Sequence, residues 1–96
     1  MRVRLTSPAE AELAAAVEWY AGVRADLASR FLNEFEILLE RLRDNPQQFP
    51  AVHRKIHRAG FRRFLYGLLF RIQETEVEIV ACFHGRRNPR QWAGRG

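Results

Sequence analysis

The sequence contains one cysteine, Cys82, which excludes an intramolecular disulfide and a cysteine-based zinc cluster. Long apolar runs are also missing: the longest covers the seven residues 64–70, whereas a membrane-spanning helix needs about 20. Near the amino terminus, Ser7-Pro8-Ala9-Glu10 stands where a signal peptide would need apolar residues. We therefore expect a cytoplasmic protein with no membrane partner, in which Cys82 is buried within the apolar run 77–83.

Lysine is almost absent, and acidic residues are missing from one part of the chain. One lysine stands against 15 arginines, and the formal net charge is +5. Residues 1–44 hold six arginines and eight acidic residues, residues 45–73 hold six basic residues and no acidic one, and residues 74–96 hold four arginines and three glutamates. The basic block 45–73 predicts contact with an acidic or polyanionic partner. A solvated sheet face is the alternative interpretation.

The first half of the chain predicts a short strand and two helices. The strand covers residues 3–5, and Ser7 with Glu10 then forms a capping box that begins the first helix, which Gly22 ends. An apolar stripe at helical spacing marks the second helix: Leu27, Phe31, Phe35, Leu38 and Leu42. Asn45-Pro46 ends it, because the residue before proline avoids the helical region. The link between the helices is so short that we expect an antiparallel hairpin.

The second half predicts strands joined by short turns. They are expected at residues 52–59, 61–65, 68–73 and 77–84, with turns at Gly67 and at residues 74–76. Such short connections require antiparallel pairing. The sequence therefore predicts one α+β domain over residues 1–96, in which the helix hairpin covers an antiparallel meander and the first strand joins either edge.

Short motifs along nearly the whole chain resemble those of one family of proteins. They are Leu5–Leu13, Glu18–Tyr20, Phe31-Leu32, Leu42–Pro46, Arg62–Tyr66, Phe70–Ile72 and Ile79–Trp92. In these motifs the chain is similar to the RelE/ParE superfamily, the toxins of type II toxin–antitoxin modules. The run from His84 to Pro89 is typical of the ParE branch. The resemblance implies the α+β fold described above and a toxin of the kind that serves in plasmid stabilisation.

The superfamily contains two activities. Characterised ParE-like toxins inhibit DNA gyrase, whereas RelE-like toxins cleave messenger RNA in the ribosome. Cleavage through the 2′-hydroxyl needs a base, an acid and stabilisation of the phosphate charge. Residues 52–73 supply arginines but no carboxylate, and no tyrosine follows Tyr66. We therefore favour gyrase inhibition, with no catalytic residue. The alternative is a ribosome-dependent endoribonuclease that uses Lys55, Arg63, Arg71 and His84.

Two binding surfaces follow from this interpretation. The target-binding residues are predicted to be Arg63, Arg71, His84, Arg86, Arg87 and Trp92. The antitoxin-binding residues are predicted to be Trp19, Tyr20, Phe49, Arg54, Arg58 and Arg62, with the three aromatic side chains as exposed anchors. The resemblance implies a ParD-like antitoxin whose acidic and apolar carboxyl-terminal segment folds as it binds, and operator DNA is contacted only through that antitoxin.

Three simpler interpretations accompany these predictions. Trp19 and Tyr20 also suit ordinary packing between helix and sheet, and a histidine at a strand end, such as His84, usually forms a local hydrogen bond that structures the next turn. His53 and His57 share one side of a strand without a third ligand nearby, so we expect no metal and no cofactor.

A toxin that has lost its activity and persists only in an autoregulatory complex is a third functional possibility.

Overall fold

The computed structural model describes residues 1–86 and arranges them as a strand, two helices and four further strands. The helices are α1 (Ser7–Val23) and α2 (Ala25–Asp44), followed by a short 3-10 helix (Pro46–Gln48). The strands are β1 (Arg2–Leu5), β2 (Ala51–His53), β3 (Ile56–Gly60), β4 (Tyr66–Ile72) and β5 (Glu76–His84). This order confirms the predicted α+β class.

The five strands form one mixed sheet in the order β1-β5-β4-β3-β2. Strands β2 to β5 pair antiparallel, which confirms the predicted meander. Strand β1 joins the β5 edge and runs parallel to it, with Arg2 opposite Glu76 and Leu5 opposite Ile79. A parallel pair needs a long crossover connection, and the two helices with the meander supply it.

The prediction of a strand at residues 61–65 is wrong. Residues 62–65 form bends, Phe61 belongs to no regular element, and β4 begins only at Tyr66. The apolar residues there serve contact with a helix, because the rings of Phe61 and Phe64 pack on the ring of Phe31, with ring centroids 4.6 and 5.2 Å away. Gly67 is not a turn residue either: it lies inside β4, where a Cβ atom would stand 3.1 Å from the Phe83 ring. The glycine permits that close packing.

Three other boundaries differ from the prediction. The predicted strand 52–59 is divided into β2 and β3 by a turn at Arg54, whose φ of 51° is in the left-handed region. Thr6, not Ser7, caps α1, because its side chain accepts a hydrogen bond from the backbone N–H of Ala9. Gly22 lies within α1, and the extended backbone of Arg24 separates the helices.

The helices cover one face of the sheet. Their buried side chains form the main core with residues from β3, β4 and β5, among them Leu68, Phe70 and Ile79, each fully buried. A second cluster on the opposite, helix-free face consists of strand residues alone: Ile56, Leu69, Val80, Ala81 and Phe83. Strand β5 is therefore buried on both sides, which explains its continuous apolar run. Within residues 1–86, no helix is both long and apolar enough to cross a bilayer.

The ring of Phe31 lies at the centre of an aromatic cluster. It is fully buried, and its centroid lies 5.3 Å from Tyr20 on α1 and 5.2 Å from Tyr66 on β4, in addition to its contacts with Phe61 and Phe64. This one side chain of α2 therefore joins α1, the 61–65 segment and the sheet.

We expect Phe31→Ala to lower the free energy of unfolding by about 3–5 kcal/mol, because it removes a fully buried ring and leaves a cavity. Denaturant titration followed by circular dichroism measures the change. Ile37→Ala on the same helix is the control and should cost less than about 1 kcal/mol, because Ile37 is 52% exposed. Equal losses in the two variants would contradict the central role of the Phe31 ring.

Candidate functional site

Arg71 belongs to a charged network on the helix-free face. Its Nε atom donates a hydrogen bond to Oε1 of Glu78 at 2.7 Å, its Nη2 atom forms an ion pair with the same oxygen at 2.6 Å, and Arg4 donates to Oε2 of that carboxylate. Glu78 is only 5% exposed, and a buried carboxylate is stable only when such partners satisfy it. The network joins β4, β5 and β1, so Arg71 has a structural role whatever else it contacts.

The predicted cations near the other edge of the sheet lie apart from this network. Arg54 and Lys55 are exposed in the turn between β2 and β3. The guanidinium of Arg58 on β3 lies over the Phe83 ring, 5.6 Å from its centroid. These three side chains leave positive charge at the β3 side of the sheet.

A hollow of about 400 Å³ separates α2 from the 61–65 segment. Its lining includes the apolar side chains of Leu27, Ile37 and Phe64 and the guanidinium groups of Arg30, Arg62 and Arg63. Glu34 of α2 fixes this arrangement, because its Oε1 accepts hydrogen bonds from the backbone N–H groups of Arg62 (2.7 Å) and Arg63 (3.1 Å). We call this hollow the basic groove.

A second hollow of similar size lies between α1 and the adjacent ends of β4 and β5. We call it the aromatic hollow, and its lining includes Glu12, Trp19, Tyr20, Tyr66, Cys82 and His84. Tyr66 and His84 are opposite each other in the β4–β5 ladder, and their rings meet edge to face at 5.3 Å. His84 Nδ1 accepts a hydrogen bond from the backbone N–H of Arg86 at 3.2 Å, which confirms the local, turn-structuring interaction.

Glu12 is a residue of this hollow that the sequence analysis missed. It reaches from α1 to β5, where its Oε1 accepts a hydrogen bond from the backbone N–H of Cys82 at 3.1 Å. Residues 52–73 contain no carboxylate, and Glu12 comes instead from a helix 70 positions earlier in the chain than its partner. Only its place after the capping signal, on the sheet-facing side of α1, could have indicated it.

Burial governs the titration of two side chains here. It raises the pKa of the Cys82 thiol to about 12, with a further contribution from the charge of Glu12. Burial and then the neighbouring Tyr66 raise the pKa of Tyr20 above its ordinary value. Cys82 is 2% exposed, as expected, so its thiol is a core group. Among residues 1–86, no three His, Cys, Asp or Glu side chains are grouped so as to hold a metal ion.

The structure does not bring the four proposed nuclease residues together. Lys55 lies in the β2–β3 turn, Arg63 at the basic groove and His84 at the aromatic hollow. Arg71 is five residues along β4 from Tyr66, the partner of His84, which is about 17 Å, and it lies on the opposite face.

The predicted target surface is divided in the same way. Arg63 lies at the basic groove, His84 at the aromatic hollow and Arg71 in the charged network. Arg86 is exposed directly after the aromatic hollow. Arg87 and Trp92 lie outside the residues that the structure describes.

The predicted antitoxin anchors differ in exposure. Trp19 is 64% exposed, whereas Tyr20 packs on Phe31 and on Phe64, the latter with ring centroids 4.8 Å apart. The expectation that Phe49 is exposed is wrong: it is 7% exposed, because it packs on the Phe70 ring and beneath Arg41. The side chains of Arg54, Arg58 and Arg62 are exposed.

Comparison with known proteins gives a consistent result. A family model described as the ParE toxin of the type II toxin–antitoxin system parDE matches residues 3–89. Toxin ParE2 of Mycobacterium tuberculosis, from strains CDC 1551 and H37Rv, is 27% identical over 89 residues, which are 92% of this chain and 85% of that protein. A solved structure of the chromosomal ParDE toxin–antitoxin system from P. aeruginosa superposes with a TM-score of 0.74 at 18% identity, covering 88% of this chain and 95% of that one. The structural likeness supports the α+β fold.

We expect Glu78→Ala to lower the free energy of unfolding by about 2 kcal/mol, because it leaves Arg71 and Arg4 without their shared carboxylate while both can still turn toward water. Glu76→Ala, two residues earlier on the same strand, is the matched control. It should lower the free energy of unfolding by less than about 1 kcal/mol, since the contact of Glu76 with Arg4 is longer, at 3.4 Å, and more exposed. Thermal unfolding of both variants measures the difference. A larger loss in Glu76→Ala would contradict the assignment.

The raised pKa of Cys82 predicts an unreactive thiol in the folded protein. An alkylating reagent at pH 8 should modify it only after denaturant is added, because the unfolded thiol has a pKa of about 8.5. The thiol has a higher pKa in the folded protein than in the unfolded chain. The free energy of unfolding is therefore greatest below the pKa of the unfolded thiol and falls as the pH rises toward 12. Cys82→Ala should remove this part of the alkaline pH dependence. Rapid alkylation of the native protein would refute the burial argument.

Proposed function

The chain belongs to the ParE toxin family of type II ParDE toxin–antitoxin systems, and we propose that it inhibits DNA gyrase in the cytoplasm until a cognate ParD-like antitoxin neutralises it. Inhibition is by binding, without chemistry by the protein itself. The antitoxin also makes the contacts of the complex with operator DNA. Stable inheritance of the genetic element that carries the pair, such as a plasmid, is the biological role that fits this activity.

One observation carries the proposal: the four residues that the sequence offered for RNA cleavage are dispersed. General acid–base catalysis requires its groups within hydrogen-bond reach of one substrate. Lys55, Arg63 and His84 lie instead at three different places, and the guanidinium of Arg71 is committed to Glu78. Arginines presented at several points of a surface suit recognition of a large partner, where each adds a charge-assisted contact.

A messenger-RNA endoribonuclease is the second candidate, and the aromatic hollow favours it. His84, Tyr66 and Glu12 line this one cavity, so an imidazole, a phenol and a carboxylate come within a small volume. These groups are of the types that accept and donate protons in RNA cleavage. This set of three residues shares only His84 with the four nuclease residues that were predicted from the sequence.

We expect purified protein to inhibit supercoiling by DNA gyrase and the cognate antitoxin to reverse the inhibition. Arg63→Ala should weaken inhibition by about 10-fold or more, the effect of losing one charge-assisted hydrogen bond. Arg43→Ala, at an exposed position near the end of α2, is the control and should inhibit like the wild type. The concentration that halves supercoiling is the measurement, and trapped, cleaved DNA is scored in the same reactions.

No inhibition at a large excess over gyrase would refute the proposal. If ribosome-bound messages are then cut at specific sites, and His84→Ala abolishes the cuts while Arg63→Ala does not, the nuclease is the correct function. If induction of the wild-type chain leaves growth unaffected, the protein is an inactive toxin that persists only in its complex.

A further inference from the structure

Four rings form a continuous wall of the aromatic hollow. The centroids of Trp19 and Tyr20 are 5.1 Å apart, those of Tyr20 and Tyr66 6.0 Å, and those of Tyr66 and His84 5.3 Å. Successive ring planes meet at 85°, 65° and 81°, so the wall is bent and is not a flat stack. Trp19 is 64% exposed, which leaves most of its indole surface open to a ligand.

The carboxylate of Glu12 lies in the same hollow. The residue is half-buried on α1, and its Oε1 accepts the backbone N–H of Cys82 at 3.1 Å, which ties the carboxylate to β5. Each oxygen of an ionised carboxylate can accept more than one hydrogen bond. The interaction with Cys82 therefore fixes the position of Glu12 without preventing it from accepting the donors of a ligand.

No cationic side chain balances this carboxylate within the lining that the structure describes. His84 Nδ1 accepts the backbone N–H of Arg86 at 3.2 Å, so this nitrogen carries no proton and the ring is neutral, with its proton on Nε2. Glu12 is thus the one ionised group among the described residues that line the hollow. The hollow is locally negative in a protein of net charge +5, in contrast to the basic groove, whose carboxylate lies among arginines.

A carboxylate beside several aromatic rings is the chemistry that recognises an organic cation. The faces of the rings attract the cation, and the carboxylate forms an ion pair with it. A guanidinium group fits this combination best, because it is planar, stacks on aromatic faces and directs a fork of N–H donors at a carboxylate. An anion would be repelled by Glu12, and a neutral apolar ligand would cover the carboxylate without compensating its lost hydration.

We propose that the aromatic hollow is a binding site for a guanidinium group, which stacks on Trp19 and donates hydrogen bonds to Glu12. The inference goes beyond the proposed function and does not depend on it, since neither gyrase nor an antitoxin takes part. Two sources supply this chemical group. One is a free guanidinium compound, and the other is an arginine side chain of this chain after residue 86, where Arg87, Arg90 and Arg95 follow.

The first experiment is a titration of the isotope-labelled, full-length protein with methylguanidinium chloride, followed by NMR at 0.15 M salt. The backbone N–H signal of Cys82 should shift, because this group donates to Glu12, and half-saturation should come at about 1 mM for so small a ligand. The N–H signals of Arg62 and Arg63 are the internal control. They donate to the carboxylate of Glu34 in the basic groove and should not shift.

A matched ligand and three variants test the chemistry of the site. Methylurea is planar, similar in size and uncharged, and should cause no saturable shift. Glu12→Gln keeps an oxygen for the Cys82 N–H and should weaken methylguanidinium binding by about 10-fold or more. Trp19→Leu, at a mostly exposed position, should weaken it by about 3-fold or more. Glu10→Gln removes an exposed charge from the same helix and should change affinity by less than about 2-fold at this salt concentration.

A variant with Arg87, Arg90 and Arg95 all replaced by Gln distinguishes the two sources. An arginine of the same chain competes at a high effective concentration, so its removal should tighten methylguanidinium binding by about 3-fold or more. That result would make the site intramolecular. An affinity equal to that of the wild type would assign the site to a free guanidinium compound.

Three outcomes would overturn the inference. Equal shifts with methylurea would show that charge is not recognised, and an unchanged affinity in Glu12→Gln would remove the carboxylate from the site. A single-stranded RNA oligonucleotide that shifts the Cys82 signal at a lower concentration than methylguanidinium, and binds Glu12→Gln more tightly, would make the hollow a nucleotide site. Gyrase assays on the same wild-type preparation remain an independent measurement, so either proposal can fail while the other stands.

Discussion

The contact of the Phe31 ring with four aromatic rings is the constraint on which the rest of the structure depends. Those rings belong to α1, to the 61–65 segment and to β4, so a single side chain of α2 sets the distance between the helix hairpin and the sheet. The two hollows lie on either side of this cluster. Phe64 forms part of the basic groove, whereas Tyr20 and Tyr66 form part of the aromatic hollow. The shape of both surfaces therefore follows from one packing arrangement.

Three carboxylates turn inward against the fold and hold distant parts of the chain together. Glu78 joins three strands through arginine side chains, Glu34 holds the segment before β4, and Glu12 fixes the backbone of β5. Each of them satisfies donors of the protein itself. These three carboxylates are therefore committed within the fold, while the guanidinium groups of Arg54, Arg58 and Arg62 stay exposed.

The helices, the class of fold and the meander could be predicted from the sequence, because a stripe through Phe31 and Leu38 and the stop at Pro46 are local signals. The 61–65 segment could not, because its large apolar residues suit a strand, whereas the rings of Phe61 and Phe64 pack on a helix residue 30 or more positions away. The candidate site was predictable only in part. Arg62 and Arg63 stand out by composition, but Glu34 and Glu12 are recognisable only once the tertiary fold places them beside backbone groups distant in sequence.

The parallel pairing of β1 with β5 has a consequence for the moment at which this toxin can exist as a folded molecule. The first strand finds its partner only in residues 76–79, and Arg4 reaches Glu78 across 74 positions of the chain. During synthesis the ribosome must therefore release the chain through β5 before the sheet can close and the main core can form. A product terminated before residue 76 lacks the strand that is buried on both faces, and with it the partner of β1. The order of elements along the chain thus delays folding until β5 has left the ribosome.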